Sequence, residues 1–442
     1  MHTFERLRQE YPVFSFDGFS VDAEDGNLRV TYAFTQSEEI RFHPSWVFPV
    51  PYETWKNDRF LQSLLFSLGL AELVSYWKAC CSPVVEIRCG TLTEEQTRWW
   101  KKLWYHGLGE FFYRNGITAD EESFVAVRSS GQVYRAEAQH PSGGELICVG
   151  GGKDSCVTMA LLRGRGARLF CVNGSAAIFR TAEAAGYTRS DFDVFRRRLD
   201  CRIVELNAAG YLNGHTPFSS VLAFSALVDA YVRNLRYIVL SNESSANDVY
   251  VKGTEVNHQY SKSFAFENDF RRYVRRFLPC GIEYFSLLRP LNEWNIVKRF
   301  VREPAFLDAF RSCNLGAKDD CWCCACPKCL FTYILLSAFL DRDRVCRIFG
   351  KDLLDDPAML PYLDGLVCED FDKPFECIGT RQETAAALRA AIRRNGTGQL
   401  LLREYQRRYG SAEVDERAVD TFWDDNNNVP SVFLEVLSCD RN

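Results

Sequence analysis

Several things are scarce in this chain of 442 residues, and each scarcity excludes something. Positive charge is not in excess: 53 Lys and Arg face 58 Asp and Glu, for a net charge of −5. That argues against a nucleic-acid enzyme, which needs a basic surface. The first ten residues, Met-His-Thr-Phe-Glu-Arg-Leu-Arg-Gln-Glu, carry charges and no secretory apolar region. The longest charge-free apolar stretch of note, Cys329 to Leu340, is too short to span a bilayer. A cytoplasmic protein without membrane contact is expected. No Gly-x-Ser-x-Gly elbow occurs, so nothing supports serine or cysteine nucleophile chemistry.

What is present indicates a folded protein of two or three domains: 47% apolar residues and 14% aromatics. Cysteine is abundant, at 18 residues. Without a signal peptide these read as thiols, core residues or metal ligands rather than disulfides.

The chain is organised around Leu146-Ile-Cys-Val-Gly-Gly-Gly-Lys-Asp-Ser-Cys-Val157. An apolar strand runs into a glycine turn, and a helix follows. This geometry places backbone N–H groups and a helix N-terminus around an anion. Glycine allows close approach of a phosphate and tolerates positive φ. Lys153 adds a mobile cation, and Ser155 offers a hydroxyl. The spacing is neither a Walker loop nor Gly-x-Gly-x-x-Gly.

Residues 1–142 read as a β-then-α domain. Phe14–Val21, Leu28–Phe34 and Glu39–His43 alternate as strands, with a turn at Glu24-Asp-Gly-Asn27. Helices are expected over 52–80 and 94–113. The tryptophans at 46, 55, 77, 99, 100 and 104 read as core, with a sugar or nucleobase platform as the alternative.

Residues 143–312 alternate strands and helices, which predicts a doubly wound parallel α/β sheet. Strands are expected at Leu146–Val149, Arg168–Val172, Arg202–Leu206, Tyr237–Leu240 and Ile282–Leu288. Ligands in such sheets bind beyond the carboxyl ends of the strands. Those ends carry Gly150–Ser155, Asn173, and the polar run Ser241-Asn-Glu-Ser-Ser-Ala-Asn-Asp248. Glu243 is a candidate Mg2+ ligand. Asn242 and Asn247 are placed to orient substrate or loop backbone. The stretch Glu255-Val-Asn-His-Gln-Tyr-Ser-Lys-Ser263 is a candidate substrate loop; His258, Tyr260 and Lys262 are candidate proton carriers or anion ligands. Arg289 brings a fixed cation to the end of the last strand.

Residues 313–345 form a cysteine-rich module with a packing helix. Cys323, Cys326 and Cys329 are spaced by two residues each, and Cys313 lies upstream. Four such thiolates suit a closed zinc site. Cys321 and Cys324 are spare thiols that could substitute, and an iron–sulfur cluster is the alternative. Residues 346–442 read as mostly helical, with Ala385–Arg393 clearest. Within them, Cys377 and Glu376 beside a glycine are expected to reach the site or to form an ordinary loop.

The glycine string resembles the Ser-Gly-Gly-x-Asp-Ser loop of the PP-loop ATP pyrophosphatases, the adenine nucleotide alpha hydrolase-like fold. Gly150 stands where those enzymes usually carry Ser. A late cysteine cluster is similar to the zinc site of the 7-cyano-7-deazaguanine synthases of that superfamily. Five stretches together resemble the MurL family: Gly150–Ser155, Ser241–Asn247, Glu255–Ser263, Trp322–Cys329 and Lys373–Gly379. The resemblance implies ATP-dependent epimerisation of the terminal L-Glu of UDP-MurNAc-L-Ala-L-Glu in bacterial peptidoglycan precursor synthesis. It implies an acyl-adenylate of the α-carboxylate, with AMP and diphosphate released. A ligase that adds L-Glu to UDP-MurNAc-L-Ala would act beside it.

In this assignment Gly150, Gly151, Gly152, Lys153, Asp154, Ser155, Asn173, Ser241, Asn242 and Glu243 bind ATP, and Asp154 and Glu243 hold Mg2+. Asn247, Asn257, Gln259, Tyr260, Ser261 and Arg289 meet substrate. His258, Lys262 and Cys377 are the candidate acid and base, with Lys153 also catalytic. Structural Zn2+ falls to Cys313, Cys323, Cys326 and Cys329. Two other outcomes stay open. One is a different adenylating enzyme, a ligase or deazapurine synthase. The other is a non-catalytic nucleotide-binding zinc protein, motivated by Gly150.

Overall fold

The structure is a computed structural model that describes residues 3–134, 139–248, 250 and 257–438. Glu255 and Val256 of the expected substrate loop lie outside the described residues. The strands are β1 (Val13–Glu24), β2 (Asn27–Thr35), β3 (Arg41–Phe42), β4 (Ser45–Pro51), β5 (Val84–Ile87), β6 (Ala126–Ser129), β7 (Glu145–Cys148), β8 (Arg168–Val172), β9 (Phe192–Arg198), β10 (Tyr237–Leu240) and β11 (Glu283–Ser286). They form one eleven-stranded sheet in the order β11-β10-β7-β8-β9-β4-β2-β1-β5-β6, with β3 on β2.

The β1–β2 hairpin forms where the sequence indicates. Asp25 at φ 51° and Gly26 at φ 77° both take the left-handed conformation of a tight two-residue turn. Every second residue of β2 is buried, as period-two patterning requires.

The half that carries β7 to β11 is parallel throughout. The chain runs outward from β7 through β8 to β9, then returns to the other side of β7 with β10 and β11. The order therefore reverses between β7 and β10, and a crevice opens beyond their carboxyl ends. The glycine loop follows β7 and Ser241 follows β10, so both meet at that crevice.

One expected strand is corrected. Arg202–Ala208 is a helix, and the third parallel strand is β9 at Phe192–Arg198. Ile203 and Leu206 are the buried residues of that helix while Val204 is exposed, a three-residue spacing that suits a helix and not a strand. The opposite edge of β9 pairs antiparallel with β4, so the sheet runs on into residues 13–129.

Both faces of the parallel half are covered. Leu146 and Cys148 face a core shared with helices Arg59–Trp77 and Phe218–Val232. Ile147 and Val149 face a second core, shared with helices Lys153–Leu161, Glu293–Phe300 and Pro327–Ser337. Continuous apolar runs are what such doubly covered strands need. Arg59–Trp77 is long and apolar enough to cross a membrane, but protein covers 94% of its most apolar window. Its Glu72 is buried in an ion pair with Arg197 of β9 at 2.7 Å.

Trp46, Trp77, Trp100 and Trp104 are fully buried, so the core assignment holds for them. Residues 293–438 are helical, with loops between. The packing helix expected within 313–345 is two helices, Pro327–Ser337 and Arg342–Phe349, because Asp341 caps the second by accepting from Arg344 N–H at 2.8 Å.

Candidate active site

The glycine loop closes tightly against its surroundings. Gly151 has φ 75°, and a Cβ there would lie 2.9 Å from Ile178 N and 3.0 Å from the Ala177 carbonyl carbon. Only glycine fits. A Cβ at Gly150 meets nothing within 4 Å, so the missing serine leaves open space and no distortion. Gly152 ends the loop as N-cap of helix Lys153–Leu161 and has no side chain to cap it. The Ser312 hydroxyl sits 3.4 Å from Lys153 N–H instead. First-turn N–H groups without a side-chain cap are what an anion site at a helix N-terminus uses.

Lys153 is buried and reaches across the crevice. Its ammonium meets Asp154 at 2.6 Å and also the Glu293 carboxylate. Burial works against its charge, but Asp154, Glu293 and Glu243 outweigh that and hold its pKa above the ordinary value. The carboxylates pay the opposite penalty. Burial and the neighbouring Asp154 raise Glu243, with Lys153 and Lys262 opposing. Burial raises Glu293 well above the carboxylate range. Asp154, Glu243 and Glu293 thus surround one buried ammonium with negative charge. Asp154 and Glu243 were legible in the sequence; Glu293 was not, because an acid in the first turn of a helix has a sufficient local explanation.

The same cavity, about 380 Å3, continues from Gly150, Gly152, Lys153, Asp154 and Ser155 past Ser241, Asn242 and Glu243 to Lys262 and Cys377. The Lys262 ammonium donates to the Cys377 sulfur at 3.1 Å. Burial favours the thiol at Cys377. Lys262, Lys328 and a hydrogen bond from His258 outweigh it and hold Cys377 well below the ordinary thiol range. His258 stands behind Cys377. Burial opposes its charge, but Cys377 and Glu110 overcome this and raise its pKa to about 9. The Glu110 carboxylate lies 2.5 Å from His258 Nδ1. The fold thus gathers His258, Lys262 and Cys377 in one cluster, with Lys262 and Cys377 on the cavity wall and His258 behind them.

The remaining predicted residues are placed as follows. Ser241 bonds Thr158 at 2.8 Å and Asn242 bonds Ser286 at 3.0 Å, both at the cavity wall. Asn173 is turned to the edge of β9, where it donates to Arg197 O and accepts from Arg197 N–H. Asn247 accepts from Phe264 N–H, and Asn257 donates to Ala246 O while accepting from Gln259 N–H. Gln259 donates to the Tyr250 hydroxyl, Tyr260 stacks on His106, and Ser261 is buried. These groups shape the loop that aims His258 and Lys262. Arg289 is fully buried; it donates to the carbonyls of Glu243 and Lys262, fixing both residues at once.

The cysteine module forms the adjoining part of the wall. The sulfurs of Cys313, Cys323, Cys326 and Cys329 all lie within 4.8 Å of one another, a four-thiolate group that could bind a metal such as zinc. Cys321 is exposed, and Cys324 points to Phe349 O at 3.4 Å, so the spare thiols stand apart. Cys313, Asn314 and Lys328 line the cavity, and Asn314 donates to Glu376 at 3.0 Å.

Comparison with known proteins places the chain in a family. Residues 5–287 match the MurL N-terminal domain family, and residues 308–419 match the MurL C-terminal domain family. A UDP-N-acetyl-alpha-D-muramoyl-L-alanyl-L-glutamate epimerase of Xanthomonas oryzae pv. oryzae is 33% identical over 396 residues, covering 86% of each chain. Enzymes of the same name from Salinispora tropica and a Micromonospora species are each 34% identical, covering 87% of this chain and 85% and 87% of theirs. No solved structure matches the chain. With two family matches across both halves and relatives aligned along most of its length, the chain belongs to the MurL family.

Proposed function

We propose that this chain inverts the terminal L-Glu of UDP-MurNAc-L-Ala-L-Glu to D-Glu, with ATP converted to AMP and diphosphate. The observation that carries it is the single cavity joining the glycine loop to the Lys262–Cys377 pair. One carboxylate bound there is within reach of both a phosphate site and proton-transferring groups.

The chemistry explains why both are needed. A Cα proton beside an ionised carboxylate is a very weak acid, because its removal stacks a carbanion on an anion. Conversion of the α-carboxylate to an acyl-adenylate cancels that charge and lets the acyl oxygen take up the developing pair. The PP-loop assignment of Gly150–Ser155 rests on this need and on the uncapped helix start. Lys153 and the backbone N–H groups oppose charge building on the phosphates. Asp154 and Glu243, with Glu293 beside them, would hold Mg2+, which supplies positive charge to the diphosphate as it leaves.

Proton transfer falls to the far wall. Cys377, held as a thiolate by Lys262, Lys328 and His258, takes the Cα proton. The Lys262 ammonium, hydrogen-bonded to Cys377, stays on the thiolate's side and opposes its charge, and a proton delivered to the other face completes the inversion. Hydrolysis of the acyl-adenylate frees the D-Glu product and makes the cycle irreversible. The metal-binding cysteines have a structural part, and a ligase adding L-Glu to UDP-MurNAc-L-Ala would supply the substrate.

The test is diphosphate release from ATP and Mg2+. It should require UDP-MurNAc-L-Ala-L-Glu and need no amine. Release that depends on ammonia, with an amide as product, would replace the epimerase by a ligase.

A further inference from the structure

Glu110 and His215 have no part in the proton transfer just described, yet they adjoin it. Both lie outside every motif in the sequence. Glu110 is on the short helix Gly109–Arg114, and His215 is on the loop before helix Phe218–Val232. One Glu110 oxygen lies 2.5 Å from His258 Nδ1 and 3.5 Å from His215 Nδ1; the other binds Arg114 at 2.5 Å. The His215 and His258 rings are 4.7 Å apart. The His215 loop is anchored from behind: the buried Lys78 ammonium donates to Gly214 O and, at 2.6 Å, to the Thr216 hydroxyl. Side-chain exposure rises along the series, from 7% at Glu110 and 11% at His258 to 24% at His215.

We propose that Glu110 is a positioning residue that keeps His258 as the imidazolium partner of the Cys377 thiolate, and that His215 is the outer step by which the proton exchanges with solvent. The proposal rests on the epimerase assignment. Its steps balance. The Cα–H bond breaks, its electron pair enters the acyl group, and an S–H bond forms on Cys377. His258 passes a proton through the Glu110 carboxylate to His215, which gives it to water. Neutral His258 then takes the Cys377 proton and restores the thiolate–imidazolium pair. No charge is created or lost.

The electrostatics fit these roles. Burial and the neighbouring His258 lower His215 to about 4, so it rests neutral and, once charged, gives its proton up readily to water. The other groups facing His258 are Glu376 and the Tyr250 and Phe375 rings, while Lys78 and Lys262 act on His215. His258, raised to about 9, is protonated below that pH and loses its proton above it. The thiolate–imidazolium pair therefore dissolves as pH rises through about 9.

Two readouts test this. The first is alkylation of Cys377 by iodoacetamide against pH, followed on its own peptide by mass spectrometry, which needs no epimerase activity. In Glu110→Gln the profile and the basic limb of inversion should both move, the basic limb by about 1–3 pH units downward. Unchanged profiles would overturn the role of Glu110 even if inversion is never seen. The second is deuterium entering recovered L-Glu substrate in deuterated water. His215→Ala should lower deuterium per turnover, and added imidazole should restore it. Equal deuterium per turnover at a lower rate would make His215 merely structural. A metal equivalent beyond that of the four cysteines, lost in both variants, would overturn the conduit in favour of a cation held by Glu110, His215 and His258.

Discussion

The loop glycines differ in what they permit, although the sequence shows three in a row. Gly151→Ala places a Cβ against backbone at a left-handed φ, so ATP-dependent diphosphate release should fall by at least tenfold. Gly150→Ser enters open space and should leave release and unfolding temperature unchanged or improved. Equal damage from both would contradict the loop geometry. Lys262 and Cys377 should separate in another way. Cys377→Ala should abolish exchange of the L-Glu Cα proton, whereas Lys262→Met should slow exchange and raise the pH at which Cys377 alkylates, each inversion rate dropping roughly 10²–10⁴-fold. The glycine string, Glu243, His258, Lys262 and Cys377 were legible because their chemistry demands particular residue types near strand ends or in polar loops. Glu110, His215 and Glu293 were not. Each has an ordinary local explanation, and only the fold brings Glu110 148 residues along the chain to His258.

Among the elements, strands with clean alternation or a continuous apolar run were readable to within a residue or two, as β2, β8 and β10 show. Arg202–Ala208 misled because Arg-Ile-Val-Glu-Leu has β-branched residues, yet its burial follows a three-residue spacing. β9 was hidden by its arginines. Three follow one another at 196–198: Arg197 is largely buried on Glu72, while Arg196 and Arg198 pair with Glu24 at the surface. The cysteine module was readable in its ligands but not in its place. It walls the cavity and aims Lys328 at Cys377. Cys326→Ser should therefore lose one equivalent of bound metal, lower the unfolding temperature and raise the pH at which Cys377 alkylates. Retention of metal with an unchanged Cys377 profile would show that the module is independent of the site.

For the whole molecule, the continuous sheet makes the N-terminal residues part of the catalytic unit. β9 pairs with β4, Glu72 is buried against Arg197, and Glu110 supports His258. Removing Glu72 leaves a largely buried guanidinium unpaired, so Glu72→Ala should cost about 3–5 kcal/mol of stability. A fragment starting at residue 143 would expose the β9 edge and should be insoluble or inactive. The sequence pointed to a β-then-α beginning and a parallel centre, but the β4–β9 junction depends on contacts 150 residues apart and left no local mark. The most direct measurement is chiral analysis of glutamate after incubation with ATP, Mg2+ and UDP-MurNAc-L-Ala-L-Glu in deuterated water. D-Glu carrying deuterium at Cα, formed together with diphosphate, is the predicted result. Diphosphate released with glutamate still wholly L and undeuterated would contradict the account.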